Sequence, residues 1–166
     1  EYQLPCHLRP SAWWVIDTHF QYEWDLEKAR GFDFVFCAQK DGAEHLRRDG
    51  VQNVSWLPLA CDPDIHQKHS VEKAYDVAFV GNIFPGPGAE LLSLIRSHFP
   101  NCFIGQAYFE EMAKIYSQAR IVFNRSLKNN VNIRVFEALA SGSLVITNDL
   151  SDNGQSELFQ DKIHLV

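Results

Sequence analysis

Several signals that would assign a role at once are missing from this sequence. There is no dense run of Lys or Arg, and 15 basic residues against 21 acidic ones leave a net charge of −6. A nucleic-acid binder would carry a basic patch or stripe, so nucleic acid is not an expected partner. The four cysteines, Cys6, Cys37, Cys61 and Cys102, stand far apart and form no Cys-x-x-Cys pair. Clustered ligands for zinc are absent, no metal site is expected, and the thiols read as reduced, mostly buried groups of a cytoplasmic protein. No apolar run approaches the roughly 20 residues of a membrane-spanning helix. The start, Glu1-Tyr2-Gln3-Leu4-Pro5, lacks the basic region and apolar stretch of a signal peptide, and it lacks an initiator Met, which suits a fragment or a processed chain. A Gly-x-Ser-x-Gly elbow and a phosphate loop ending in Gly-Lys-Ser/Thr are both missing, which argues against the hydrolases and nucleotidases built on them. No internal repeat or low-complexity tract is visible.

What is present is a real core. Hydrophobic residues make up 46% of the 166 positions and aromatics 13%, too many for a disordered chain. Short apolar runs alternate with helix-like segments: runs at Trp13–Ile16, Phe32–Cys37 and Val54–Leu57, with helices expected over Glu23–Arg30 and Gly42–Asp49. The turn-rich Cys61-Asp62-Pro63-Asp64 and the polar Gln67–Lys73 read as a linker. The pattern then restarts, with strands expected at Tyr75–Val80, Cys102–Ile104, Ile121–Phe123, Leu144–Thr147 and His164–Val166. Helices are expected at Ala89–His98, Tyr108–Arg120, Val131–Ser141 and Gln155–Gln160. Strands spaced by helices of about ten residues imply βαβ units and a mostly parallel α/β sheet covered on both faces. The expected organisation is 1–66, a 67–73 linker, and 74–166.

The segment from Asn124 to Asn148 holds the most chemistry. On the helix Val131–Ser141, Ile133, Phe136 and Ala140 fall on one side, and Asn130, Arg134, Glu137 and Ser141 on the other. The helix follows a strand ending near Asn124-Arg125-Ser126. Ligands of open parallel sheets sit outside the carboxyl ends of the strands, where exposed backbone N–H groups at helix N-termini favour anions such as a diphosphate. Read by spacing alone, Arg134 and Glu137 equally make an ordinary surface i, i+3 ion pair. His19 follows the strand Trp13–Ile16 and is either a cleft residue or a loop histidine without a role, and Asp17 is a candidate helix cap. His7, His45, His66, His69, His98 and His164 show no metal or triad spacing, and His66 and His69, in a polar linker, are expected to be solvated.

The run Asn129-Asn130-Val131-Asn132-Ile133-Arg134-Val135-Phe136-Glu137-Ala138-Leu139-Ala140-Ser141-Gly142-Ser143-Leu144-Val145-Ile146-Thr147 resembles the C-terminal domain of family-4-like GT-B glycosyltransferases. It is most similar to the branch with CgeB-like spore maturation proteins. The resemblance implies that Glu137 binds the ribose hydroxyls of a nucleoside-diphosphate-sugar, which suits a carboxylate accepting from two vicinal hydroxyls. It places Asn129 where the family usually has a Glu contacting the donor sugar. Tyr75–Asn82 resembles the first strand and loop of the donor-binding domain, which makes Gly81 and Asn82 candidate donor contacts. The loop carries no cation, so Arg125 and Arg134 are the expected partners of the diphosphate, with Asn130 beside them. Val54–Asp62 resembles the crossover strand and linker. Trp13–His19 resembles the acceptor-side strand and loop, which assigns His19 and Asp17 to the catalytic region.

The resemblance implies Rossmann-like units of GT-B type: a nearly complete donor-binding domain behind the last part of an N-terminal domain, so that the chain reads as an excerpt of a longer protein or a degenerate relative. Two functions stand. One is transfer of a sugar to an unidentified acceptor (glycan, protein or small molecule), retaining and metal-independent, with no cofactor beyond the donor itself. The other is a non-catalytic nucleotide-binding or assembly module, including a homo-oligomer or a partner of the remaining chain.

Overall fold

The computed structural model describes residues 9–126, 128–150 and 153–166. Cys6 and His7 lie outside the described residues. Two parallel sheets run in sequence. The first has the order β1–β2–β3 and comprises β1 (Ala12–Val15), β2 (Phe34–Cys37) and β3 (Val54–Trp56). The helices α1 (Thr18–Ala29) and α2 (Lys40–Arg48) form its crossovers. Val15, Val35, Cys37 and Val54 bury one face of this sheet against Ala29, Ala43 and Leu46. The second sheet has the order β5–β4–β6–β7 and comprises β4 (Tyr75–Val80), β5 (Cys102–Gly105), β6 (Ala119–Phe123) and β7 (Leu144–Ile146). Its helices are α3 (Pro87–His98), α4 (Phe109–Gln118), α5 (Ile133–Ala140) and α6 (Gln155–Leu158). Ala78, Val80, Val122 and Val145 pack with Tyr116, Val135 and Ala138 in its core. The α/β class with parallel sheets is as expected, but cover on both faces is not complete: Trp14 in β1, Phe34 in β2 and Leu144 in β7 are 45%, 46% and 44% exposed.

Local chemistry explains most element ends. Gly142, with φ 78, follows α5. Its N–H donates to the Leu139 carbonyl and that of Ser143 to the Ala138 carbonyl, which is the Schellman pairing that stops a helix at a left-handed residue. Beyond β7 the chain returns to the sheet at Leu165, which bridges to Val145 in parallel.

Three expectations need correction. The first helix starts at Thr18, well before Glu23, and passes through a non-helical Gln21 (φ −144); the polar and aromatic run Thr18–Tyr22 shows no apolar period that would reveal it. Asp17 stands before this helix in a left-handed conformation (φ 60) and makes no side-chain cap bond. On α5 the stripe facing the sheet is Val135 and Ala138, whereas Ile133 is 42% exposed. The opposite side of α5 is also covered, with His66 against Glu137, and Glu137 and Ser141 are buried there.

Candidate functional site

From β4 the chain passes to β5 on one side and then crosses back to β6 on the other. Beyond the carboxyl ends of β4 and β6 the connections diverge and leave a crevice, the usual ligand position in an open parallel sheet. Two helices begin at this end: α3, entered through Gly86 (φ 128) with Pro87 at its first position, and α5, entered through Asn132.

Arg134 lies in the first turn of α5 and straddles this reversal point. Its Nε donates to the Val80 carbonyl at 2.8 Å and its Nη1 to Asn124 Oδ1 at 2.7 Å. The guanidinium sits 4.5 Å over the Phe79 ring. Gly81 makes room for it: φ is 149, and a Cβ there would stand 2.4 Å from Arg134 Nη2. Asn124 is 1% exposed. Its Oδ1 also accepts from Asn132 Nδ2 at 3.1 Å, and its Nδ2 donates to Thr147 Oγ1 at 3.0 Å. One buried amide thus ties together β6, β7 and the first turn of α5. Arg134 has not entered the surface ion pair that spacing allowed; among the described residues no ion pair joins it to Glu137.

A cavity of about 530 Å³ opens over this arrangement, a size that suits a small organic ligand. The start of α1 contributes Asp17, His19 and Phe20. The β4–α3 loop contributes Gly81, Asn82, Ile83 and Phe84, and the β6–α5 segment Arg125, Ser126, Asn130, Asn132 and Arg134. Two arginines and the starts of two helices make the floor attractive to an anion. His19 Nδ1 is buried without a hydrogen-bond partner among the described residues. Burial holds its imidazole below the usual range, against the opposing pull of the Asp17 carboxylate. A neutral imidazole at a cleft wall can take or relay a proton.

The two sheets meet along a polar seam beside the cavity. The buried Gln39 accepts from Thr18 Oγ1 at 3.3 Å and donates to Asn130 Oδ1 at 3.3 Å. Asp41 N donates to Asn153 Oδ1 at 3.0 Å, Lys40 pairs with Glu157, and Lys128 Nζ reaches the His19 carbonyl at 3.3 Å. Gln39→Leu leaves Asn130 and Thr18 short of a partner, and the penalty for such buried polar groups is about 1–3 kcal/mol. A denaturant midpoint that falls accordingly is the expected result; an unchanged midpoint would show that Gln39 adds nothing to the seam.

Of the residues expected at a site, Asp17, His19, Gly81, Asn82, Arg125, Asn130 and Arg134 line this one cavity. Asn129 and Glu137 do not. Asn129 is exposed and left-handed (φ 53), and its carbonyl accepts from the Asn153 amide. Glu137 is buried one turn beyond Arg134, with Oε1 3.5 Å from His66 Nε2. Burial pushes its carboxyl upward, and the His66 and Arg134 charges pull it back. His66 is therefore a buried partner of α5 and not a solvated linker residue, and His69, half-buried, donates its backbone N–H to Ser117 Oγ at 2.9 Å. Sequence reasoning took Asn124, Ser126 and Asn132 only as parts of the segment at the strand end, read His66 as solvated, and did not single out Gln39. The usable signal for Asn124 was its place as the first polar residue after an apolar strand at a helix-bearing end of the sheet.

Residues 66–166 match a family described as glycosyl transferase-like. The architecture is similar to the pneumococcal O-GlcNAc transferase GtfA in complex with UDP and GlcNAc, at 15% identity and a TM-score of 0.59 over 85% of this chain and 35% of that one. It is similar to sucrose-phosphate synthase from Thermosynechococcus elongatus at 16% identity and a TM-score of 0.57, over 90% of this chain and 49% of that one. The GtfA/B complex gives 14% identity and a TM-score of 0.55, over 85% and 35%. The α/β fold with parallel sheets matches GT-B glycosyltransferase structures. The chain thus spans between about a third and a half of the length of these structures. No curated protein matches it in sequence. Among the described residues no helix is long and apolar enough to cross a membrane.

Proposed function

The chain belongs to the glycosyl transferase-like family, and we propose that it holds the nucleoside diphosphate of a sugar donor in the cleft between its two sheets, as the donor-binding part of a glycosyltransferase. The observation that carries this reading is Arg134. A guanidinium anchored to Val80 and Asn124 lines a cavity at the sheet's reversal point, beside two helix starts and Arg125. Such a preorganised cation stabilises a diphosphate whose charge grows as the sugar departs. Two arginines supply the neutralisation that a divalent cation supplies elsewhere, and the reading is of metal-independent transfer with retention of configuration. The resemblance gives Glu137 the ribose hydroxyls, although it lies outside the cavity, one turn along α5 from Arg134 and against His66, and Asn82 takes the phosphate side. His19 and Asp17, on the opposite wall, face the sugar and the acceptor.

The alternative is a module that binds nucleotide without turning it over. It is favoured by Asn129, which stands where the resemblance calls for an acidic sugar contact and whose backbone is engaged by Asn153. Titration calorimetry with UDP, GDP and TDP tests both readings. At least one nucleotide should bind, unaffected by EDTA, and Glu137→Ala should weaken it about tenfold, the loss expected for one hydrogen bond to a charged group. Failure of all three to bind overturns the donor-site reading for this chain. Donor hydrolysis or transfer then separates enzyme from module.

A further inference from the structure

We propose that His66 is a positioning residue for Glu137, pairing with that carboxylate and holding it ionised. This rests on the reading of Glu137 as the ribose contact, and it adds a residue that the resemblance did not assign. The side chain is 8% exposed. Neither ring nitrogen has a hydrogen-bond partner among the described residues, and the Glu137 carboxylate is the acidic group it pairs with, at 3.5 Å. A buried imidazole with both nitrogens unspent is costly unless it serves a charge. The turn that delivers it is built for the purpose: Asp62 Oδ1 accepts from Asp64 N at 2.9 Å, and the Asp62 carbonyl accepts from His66 N at 2.7 Å. The polar side chains of this turn thus fold it back on α5 and press one histidine against one glutamate.

The groups facing Glu137 are His66 and Cys61 from the linker, Tyr116 from α4 and Arg134 on its own helix. Lys68 lies one turn on, against Gly142. Burial favours the neutral carboxyl, whereas an imidazolium and a guanidinium favour the carboxylate. Only the carboxylate accepts from two hydroxyls at once. Nucleotide affinity should therefore be intact above the Glu137 titration and be lost as pH falls through it. The His66 charge pulls the Glu137 carboxyl downward and so extends the working range.

The experiment follows the Glu137 side-chain carboxyl by ¹³C NMR between pH 4 and 8, in the full chain and in His66→Gln, and measures UDP affinity over the same range. In His66→Gln the carboxyl midpoint should rise by about one pH unit, and the pH at which UDP affinity is lost should rise with it. A second variant, His66→Asn, should raise the same carboxyl midpoint, a reading that survives if His66→Gln folds poorly. Midpoints that do not move in either variant overturn the role of His66. If the midpoints move but UDP affinity ignores Glu137→Gln, the pair exists and the ribose assignment fails, so the two failures are distinct.

Discussion

Arg134→Ala is expected to lower UDP affinity by about a hundredfold, the largest loss of any single substitution in the cleft. Two effects act together. The diphosphate loses a charge-assisted donor, worth about 1.5–3 kcal/mol. The site also loses its frame, because the guanidinium joins the end of β4 to the buried Asn124 and crosses the reversal point in doing so. Leaving Val80 O and Asn124 Oδ1 with fewer partners costs stability as well, about 1–3 kcal/mol. Arg134→Lys keeps the charge but cannot span both acceptors with a planar fork, and it should recover part of the affinity and little of the stability. Calorimetry and denaturant unfolding on the same samples separate the two. Affinity within a factor of three of the wild type in Arg134→Ala would remove Arg134 from the site and with it the main support for a diphosphate there.

The contrast between Arg134 and Asn124 shows which parts of such a site a sequence discloses. Arg134 was legible because it is a cation one turn inside a helix that follows a strand, and that position has meaning in any parallel sheet. Its partners were not, since Val80 is 54 positions away and the hydrogen bond uses a backbone carbonyl that carries no residue code. Asn124 reads as the polar end of a strand; its role as the common acceptor for Arg134 and Asn132 exists only once β6, β7 and α5 are assembled. The strands were legible for a simpler reason. Runs such as Tyr75–Val80 are apolar on both faces, as a strand between helices must be, and β4 has those same bounds. The linker misled because composition reports average polarity. Cys61–Lys73 is polar overall, yet it sets His66 against a carboxylate on α5 and His69 against Ser117 on α4. Glu137 was placed with the polar side of its helix, which is correct, but that side faces the returning linker and not open solvent.

Gly81→Ala should cost the site nearly as much as removing Arg134, without touching a charged group. At φ 149 a side chain is strained whatever surrounds it, at about 1–3 kcal/mol. The added methyl would also stand 2.4 Å from Arg134 Nη2. A flexible arginine tip ordinarily swings away from such a clash at little cost. Here the tip is bound to Val80 O and Asn124 Oδ1 and lies against the Phe79 ring, so moving it breaks two hydrogen bonds and empties the cation from the floor of the cavity. UDP affinity in Gly81→Ala should fall about 10- to 100-fold, which corresponds to the loss of one charge-assisted contact. The two substitutions should not add. In an Arg134→Ala background the clash has no partner, so Gly81→Ala should then cost only its backbone strain, and the double-mutant cycle should show a coupling of about 1 kcal/mol or more. Additive losses would mean that the methyl and the guanidinium do not meet, and that Gly81 is required by the turn alone.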